Sequence, residues 1–546
     1  MSLVRRVRGV PPEDLAISIA ALAVGVFLVW SAFHIGGMTA QMYANSDIAS
    51  APVLAQLLPD QGSGYVVLGF YPWLESLFAL DLTRWVPSHI TFWKAAPFFV
   101  HASAVALTMW TVARTVSWKT GLLVALAMAA PAPLVIYMLG APDQRLPALA
   151  HAVLLAAFLV TTPSLARWGG PARAAWAAAL AVTLAPGVAS DPLIVLGATL
   201  PFLVAVATGW RLRLLRPEVA ALACAACVIG VLGGWGLERL AEHHRIVYDH
   251  PDWDLGSAST AVSNIWLLLK VIALFGHGRF DTSPPPVDGF DVARIAAAVA
   301  VIAAVIAVLI VLVRMARPFL IDPTRPPASR LLAVYWAASL VLVSAPFVLT
   351  TIPVGLNSVR YVSTLWPALL TLVAIVFARR AHLWLAALAV VSAVIGCAEL
   401  QRGLYSPPVV VQPTPAEVAE LERIADVHHL DHGFASYWDA MPITLESDFE
   451  LRAYPIEPCG AVGYCPFHLH VIESWYTPKP GTRSFYVVGD QRLTPHLTSP
   501  PPGWGPPAKT IRVGHLTVYL FDYDIGRRLY PFKPGGLSAP ERKGEA

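Results

Sequence analysis

Long apolar stretches alternate with short polar ones over the first 398 residues of the chain. Most of these stretches approach the ~20 residues that a helix needs to cross a bilayer. They lie at 15–35, 95–116, 120–139, 146–162, 174–189, 192–208, 219–237, 292–313, 331–351, 360–377 and 382–398. The pattern predicts a polytopic α-helical membrane protein with about eleven transmembrane helices, the first of them a retained helix rather than a cleaved signal peptide.

Basic residues fall between every second pair of apolar stretches. They are Arg5, Arg6 and Arg8; Arg114 and Lys119; Arg167 and Arg173; Arg211, Arg213 and Arg216; Arg314, Arg317, Arg325 and Arg330; and Arg379 and Arg380. Short loops rich in Lys and Arg stay on the cytoplasmic side of a membrane. This bias predicts a plasma (inner) membrane protein with a cytoplasmic N-terminus. It places 36–94, 238–290 and 399–546 outside, so we expect the chemistry at the outer face.

Two of the outer segments contain shorter apolar pieces. The stretch 261–275 is short for a crossing helix, and counting it as one would move later basic loops outside, so a re-entrant or interfacial helix is predicted there. In the first outer loop, 48–58 and 73–86 have amphipathic patterns. We expect them to form helices lying on the outer leaflet, with Trp73, Trp85 and Trp93 at the membrane–water interface.

The pattern changes after residue 398. Apolar runs shorten to strand length at 433–438, 449–454, 484–489 and 511–522, whereas 415–428 has the periodicity of an amphipathic helix. The sequence therefore predicts a transmembrane domain over 1–398 and an extracytoplasmic α+β domain over 399–530. The Pro-, Gly- and charge-rich end, 531–546, is expected to be disordered.

Composition supports the membrane assignment. The chain is 56% hydrophobic and 13% charged, against about 25% charged residues in soluble proteins. The net charge is +3, and the positive charge lies at the predicted cytoplasmic surface, so it does not indicate a nucleic-acid partner. The Ala-, Arg- and Pro-rich composition suggests a bacterial source. Cys459 and Cys465 lie in the exported tail, where an oxidising compartment favours a disulfide. The His clusters of the tail are not expected to form a metal site.

Asp47 is the first candidate for chemistry. It follows the first apolar stretch, close to Tyr43 and Asn45. A carboxylate near the bilayer surface could accept a proton from an attacking hydroxyl as a general base. The alternative is that Asn45, Ser46 or Asp47 caps a helix.

Basic residues on the outer side form a second group of candidates. Arg360, beside Tyr361 and Asn357, enters the membrane from its outer edge, where positive charge is disfavoured. A guanidinium suits a phosphate, although Arg360 could instead extend to lipid headgroups. Asp143 and Arg145 share a short outer loop and form either a surface pair or part of a cavity lining. Lys270 and His277 could hold an anionic lipid head, or Lys270 could lie at the interface.

These residues resemble motifs of the GT-C class of membrane glycosyltransferases. Asp47 matches the acidic residue in a long first outer loop of that class, with Glu75 as a further acidic candidate. Arg360-Tyr361 is similar to an Arg-Tyr pair at the start of a late span in the protein mannosyltransferase and aminoarabinose transferase families. The stretch 435–444, Ala-Ser-Tyr-Trp-Asp-Ala-Met-Pro-Ile-Thr, resembles a segment in exported domains of related proteins.

The resemblance implies transfer of a sugar from a polyprenyl-phosphate donor to a hydroxyl of an envelope glycan, lipid or protein. It implies Asp47 or Glu75 as the base and donor binding by Arg360, Tyr361, Arg145, Lys270 and His277. Tyr43, Asn45, Asp143 and Asn357 would contact substrate. No metal or other cofactor is expected, because the sequence lacks a clear Asp-x-Asp motif. The alternative is a non-enzymatic transporter, or a scaffold whose tail binds envelope components.

Overall fold

The computed structural model describes most of the chain. The described residues are 11–43, 46–69, 73–86, 89–139, 146–248, 254–280, 288–377, 380–403, 413–459, 463–489, 497 and 499–532.

The described ranges contain seventeen α-helices. In chain order they are α1 Pro12–Tyr43, α2 Ser46–Leu57, α3 Trp73–Thr83, α4 His89–Thr115, α5 Trp118–Ala129, α6 Pro133–Leu139, α7 Leu146–Thr161, α8 Gly170–Ser190, α9 Pro192–Arg211, α10 Pro217–His243, α11 Ala258–Phe275, α12 Gly289–Ile321, α13 Pro327–Leu349, α14 Leu365–Phe377, α15 Ala381–Gln401, α16 Pro415–His428 and α17 Tyr437–Glu446. A 3₁₀ helix, Leu356–Val362, precedes α14.

The strands are short and belong to two sheets. They are β1 Val66–Leu68, β2 Ile246–Tyr248, β3 His432–Ser436, β4 Ala453–Cys459, β5 Gly463–Pro466, β6 Val471–Ile472, β7 Ser484–Val488, β8 Lys509–Val513 and β9 Leu516–Phe521. The first sheet has the order β2-β1-β6, and the second has the order β5-β4-β3-β7-β9-β8.

Among the described residues, ten helices are long and apolar enough to cross a membrane. They lie in α1, α4, α7, α8, α9, α10, α11, α12, α13 and α15. The 3₁₀ helix and α14 together also qualify, although they meet at a bend of 62°. Large apolar side chains on these helices are exposed, for example Phe33, Val182 and Val313. The structure confirms a polytopic helical protein with a C-terminal α+β domain.

The chain folds into two units, each built from separate segments. The helical unit contains Met1–Met38, Pro97–Leu237 and Asp252–Tyr405. The loop-and-tail unit contains Thr39–Ala96, Glu238–Pro251 and Ser406–Ala546. These boundaries differ from the predicted division at residue 398, because most of the first outer loop belongs with the tail.

Polar contacts define one end of the helical unit, called here the first end. Lys119 Nζ lies 2.6 Å from Asp14 Oδ1, and His382 Nδ1 lies 3.1 Å from Glu13 Oε2. His382 Nε2 also lies 2.8 Å from Thr120 Oγ1. The starts of α1, α5 and α15 are therefore neighbours.

A buried network defines the opposite, second end, where α15 finishes. His277 Nδ1 lies 2.8 Å from Glu399 Oε2, and Arg294 Nη2 lies 3.2 Å from Glu399 Oε1. His277 Nε2 lies 2.9 Å from the Ala130 carbonyl oxygen. Arg402 pairs with Asp288 at 2.8 Å. The start of α12, the end of α15 and the residues following α11 therefore meet at the second end.

Helix α11 begins at this second end as well. Gly256 N donates to the Leu349 carbonyl oxygen, and Asn264 Nδ2 donates to that of Thr350, both at 2.8 Å. These acceptors lie at the finish of α13, which starts beside the finish of α12 because Arg330 Nη1 donates to the Leu320 carbonyl oxygen. The residues after α11 pack against α12, and Arg279 N donates to the Arg294 carbonyl oxygen near the second end. Because α11 is also long and apolar enough to cross a membrane, the re-entrant or interfacial helix at 261–275 stays a prediction.

The predicted crossing at 120–139 is divided into α5 and α6. Pro131 and Pro133 account for the break, because proline lacks the amide hydrogen that continues a helix. The segment still passes from Thr120 at the first end to Ala130 beside the second-end network. The predicted number of about eleven spans corresponds to the ten long apolar helices without α11 but with the α5–α6 segment and the bent 3₁₀–α14 pair.

The placement of α11 predicts a labelling result. On a background with Cys224, Cys227 and Cys397 replaced by alanine, we expect Ser259→Cys and Gly289→Cys to react with a membrane-impermeant maleimide from the same side of the membrane. Thr324→Cys, between α12 and α13, should react only from the opposite side. Labelling of Ser259→Cys and Gly289→Cys from opposite sides would mean that α11 crosses.

The first sheet joins all three predicted outer segments. β1 comes from the first loop and pairs in parallel with β2 and antiparallel with β6 of the tail. Further bonds support this pairing: Tyr65 N donates to Glu473 Oε2 at 2.8 Å, and Asp60 pairs with Arg452 at 2.7 Å. The three segments thus form one folded unit.

The second sheet forms the α+β domain of the tail. β3 is central and lies parallel to both β4 and β7, whereas β5, β9 and β8 are antiparallel additions. Its apolar core includes Leu421, Ile443, Phe485 and Val518. The helix predicted at 415–428 is α16. The run 511–522, predicted as one strand, lies in the β8–β9 hairpin, which turns at Gly514 (φ +56°).

Helix α2 differs from its prediction. Ten of its twelve residues are buried, and it packs against α3 and α17 rather than presenting a face to lipid. Trp93, expected at the membrane interface, is also fully buried, and its indole N–H donates to Thr83 Oγ1 at 2.8 Å. An apolar pattern does not show whether a side chain is buried in lipid or in protein. This explains why the predictions for 48–58 and for Trp93 were both wrong. Trp85 is 81% exposed.

Candidate active site

The carboxyl end of β3 lies at a topological switch point, where the strand order of the parallel strands reverses. The chain continues from β3 to β4 on one side, and later adds β7 on the other side. In open α/β sheets, ligands bind beside the carboxyl ends of strands at such a switch point. At this position the chain turns directly from Ser436 into Tyr437 and α17. Ser436 Oγ donates to the buried carboxylate of Asp439 at 2.8 Å, which fixes the turn.

Asp47 lies against this turn. The hydroxyl of Tyr437 donates to Asp47 Oδ1 at 3.1 Å, and Ser50 Oγ lies 3.2 Å from the same hydroxyl. Asp47 is partly buried in the first turn of α2, where the helix dipole favours a negative charge. Because α2 begins at Ser46, Asp47 lies inside the helix rather than at its N-cap position. The structure thus joins the acidic residue of the first loop to the 435–444 stretch of the tail.

The ring of Tyr437 is held on the tail side. It stacks on Phe467 with ring centroids 4.5 Å apart, and the ring of His470 lies 5.9 Å away at 28°. Trp438, Phe467 and His468 are only partly buried around it. Tyr437 itself is buried beside the carboxylate, and the partly exposed rings next to it could receive a substrate with hydroxyl groups and an apolar face.

The tail histidines have separate partners. His432 Nε2 lies 3.1 Å from Asp524, His468 pairs with Glu457 at 2.9 Å, and His470 accepts from the backbone N–H of Gly69. Within the described ranges, no group of three residues of metal-ligand type comes together. Cys459 and Cys465 are joined by a disulfide, with their Cα atoms 5.7 Å apart.

The predicted phosphate-binding pair lies in the helical unit. Arg360 and Tyr361 belong to the 3₁₀ helix Leu356–Val362, where Arg360 Nη2 donates to Tyr361 Oη at 3.2 Å. The guanidinium also lies 5.1 Å from the centre of the Tyr361 ring, so the two side chains form one local group. Asn357 is exposed at the start of the same 3₁₀ helix.

Helix α11 packs against this 3₁₀ helix and carries Lys270. Lys270 is half-buried, with Nζ 5.8 Å from the centre of the Trp266 ring. His277 differs from the expected headgroup ligand, because it is fully buried and both ring nitrogens are bonded to Glu399 and Ala130. We therefore assign His277 to the second-end network.

The other predicted site residues are less informative. Glu75 is partly buried in the first turn of α3, within the loop-and-tail unit. Tyr43 is the last residue of α1. Asn45, Asp143 and Arg145 lie outside the described residues, as does most of the predicted disordered end.

Tyr437 lies in the 435–444 motif, but the sequence alone does not place it in the site. The residues Tyr437 and Asp47 are 390 positions apart. The local signal that could have found Tyr437 is its position between an apolar strand and a helix, where parallel α/β sheets place binding residues.

Comparisons with known proteins found little. No family model matches the chain, and no curated protein matches it. The chain is similar to the crystal structure of the Archaeoglobus fulgidus oligosaccharyltransferase in complex with Zn and sulfate, at 11% identity and a TM-score of 0.37. The similarity covers 76% of this chain and 57% of that protein, so the chain matches little more than half of its length.

Proposed function

We propose that this chain is a membrane glycosyltransferase that transfers a sugar from a polyprenyl-phosphate donor to a hydroxyl group of an envelope acceptor. The observation that carries the proposal is the contact of Asp47 with Tyr437 at the carboxyl end of β3. A carboxylate so held can act as a base where a substrate would lie. The resemblance of Asp47 and Arg360-Tyr361 to GT-C motifs supplies the reaction class.

The proposed step is an inverting substitution. The acceptor oxygen forms a bond to the anomeric carbon while the bond from that carbon to the phosphate oxygen breaks. The acceptor proton passes to the Asp47 carboxylate, and polyprenyl phosphate leaves as the anion. No cofactor is needed beyond the lipid-linked donor. The acceptor is an envelope glycan, lipid or protein.

Arg360, Tyr361 and Lys270 are proposed to bind the donor phosphate. Arginine offers a planar pair of N–H donors that fits phosphate oxygens, and Lys270 adds a second cation on the helix packed against the 3₁₀ helix. The polyprenyl tail would lie among the crossing helices, in contact with membrane lipids.

The proposed topology places the first end in the cytoplasm and the loop-and-tail unit outside the plasma membrane. Two observations support it. The basic loops near Lys119 and Arg325 lie at the first end, as the charge rule requires for a cytoplasmic face. The three segments of the loop-and-tail unit pair in one sheet, so they need the same side of the membrane, and eleven crossings satisfy that condition.

The test compares cells that lack the protein with cells that regain either the wild-type chain or Asp47→Asn at matched expression. Envelope glycans and polyprenyl-phosphate sugars are measured by mass spectrometry. We expect one glycan to disappear and one lipid-linked sugar to accumulate in the deletion and in Asp47→Asn cells. Full restoration by Asp47→Asn would instead favour the transporter or scaffold alternative.

A further inference from the structure

The tail supplies a residue that touches the proposed base. Tyr437 is buried, and its hydroxyl reaches Asp47 from the strand–helix turn after β3. Its ring is stacked on Phe467 and flanked by His470, so the direction of the hydroxyl is determined by packing in the tail. Ser50, one turn after Asp47 on α2, lies within hydrogen-bond distance of the same hydroxyl.

His470 connects this packing to the first loop. Its Nδ1 accepts the backbone N–H of Gly69 at 3.2 Å, and this requires an unprotonated Nδ1. Burial, with a smaller contribution from His468, lowers the pKa of His470 to about 3, so the ring is neutral at physiological pH. Gly69 has no side chain for a geometric reason: a Cβ there would lie 2.4 Å from His470 Cε1.

We propose that Tyr437 is a positioning residue that holds the Asp47 carboxylate toward the acceptor hydroxyl, so that the exported tail is part of the active site. The inference rests on the proposed function. A hydrogen bond from a hydroxyl to a carboxylate fixes one oxygen and the plane of the group. It also favours the charged form, which is the form that accepts a proton.

The test uses the full-length protein in lipid nanodiscs. The donor is the polyprenyl-phosphate sugar purified from the deletion strain, and the acceptor is the envelope fraction of that strain. Tyr437→Phe keeps the stacked ring and removes only the hydroxyl. We expect kcat to fall about ten- to hundredfold with little change in the KM for acceptor, since a hydrogen bond to a charged group is lost. The acid limb of the pH–rate profile should move to higher pH.

Tyr476→Phe is the matched control. Tyr476 is another buried tyrosine of the tail, and its hydroxyl donates to the Pro455 carbonyl oxygen at 2.6 Å. Its loss should leave the pH–rate profile unchanged. Ser50→Ala should shift the profile in the same direction as Tyr437→Phe, but less. Combining Tyr437→Phe with Asp47→Asn should cost no more than Asp47→Asn alone.

The outcomes separate the two proposals. If Asp47→Asn is inactive while Tyr437→Phe keeps the wild-type kcat and pH–rate profile, the positioning role is refuted and the transferase remains. If Asp47→Asn transfers sugar at the wild-type rate, the proposed base is wrong, whatever Tyr437→Phe does. If Tyr437→Phe is not monodisperse, the Ser50→Ala profile decides, and an unchanged profile refutes the positioning role.

Discussion

Asp47→Asn is expected to lower the rate of sugar transfer by about 10²- to 10⁴-fold, the usual contribution of a general base. Asparagine has nearly the same size and retains a carbonyl oxygen that can accept the hydrogen bond from Tyr437. It cannot take a proton from the acceptor, so the loss should fall on kcat rather than on folding or on binding of the donor. Initial rates with the purified lipid-linked donor, measured in nanodiscs, give the comparison.

Two further variants make this prediction specific. Asp81→Asn makes the same chemical change in α3, where Asp81 pairs with Arg84 at 3.6 Å and has no place in the proposed site. It should retain the wild-type rate. Glu75→Gln tests the other acidic candidate of the first loop. Asp47 is not the base if Glu75→Gln is inactive while Asp47→Asn remains active.

The crossing helices were predictable because their signal is local. A run of about 20 apolar residues has few alternatives to a membrane span, and the positions of the arginines decide the ambiguous cases. The rejection of 261–275 as a span depends on its short length and on the basic loops at Arg314 and Arg379, which a further span would move outside. The hydrogen bonds of Gly256 and Asn264 place only the start of α11, so the rejection of this span stays a prediction.

The composite loop-and-tail unit was not predictable in the same way. β1, β2 and β6 contain only three, three and two residues, too few to show a strand pattern, and their pairing joins distant parts of the chain. The amphipathic pattern of 48–58 predicts a helix on the lipid surface, but α2 is buried within the protein. Helix α2 is buried by α3 and α17, and this long-range packing cannot be inferred from the sequence.

The residues of the candidate site also differ in whether they could be predicted from local sequence. Asp47 was recognisable because a lone acidic residue follows the first span, and Arg360 because a cation there opposes the charge rule. Tyr437 can be recognised as a site residue only once the structure shows that it contacts Asp47. His277 shows the converse error, since its position near Lys270 suggested a headgroup ligand, whereas Glu399 makes it part of a buried network.

The buried network at the second end predicts a large loss of stability. Glu399, Arg294 and His277 are all at least nine-tenths buried. In Glu399→Gln, Arg294 keeps its charge but loses the carboxylate 3.2 Å away. Breaking a buried pair in this way costs about 3–5 kcal/mol, because the remaining charge is neither solvated nor compensated. We expect the midpoint of unfolding in SDS mixed micelles to fall accordingly.

Asp288→Asn is the control for charge removal at the same end of the helical unit. Asp288 and Arg402 form a pair whose side chains are each nearly half exposed, and asparagine can still cap α12 as Asp288 does. Loss of this pair should therefore lower the midpoint of unfolding far less than Glu399→Gln does. Replacing both Arg294 and Glu399 by methionine should recover most of the stability lost in Glu399→Gln, since no isolated charge remains. Equal losses in Glu399→Gln and Asp288→Asn would show that burial does not strengthen the Glu399 interaction, and that the network does not hold α12 and α15 together.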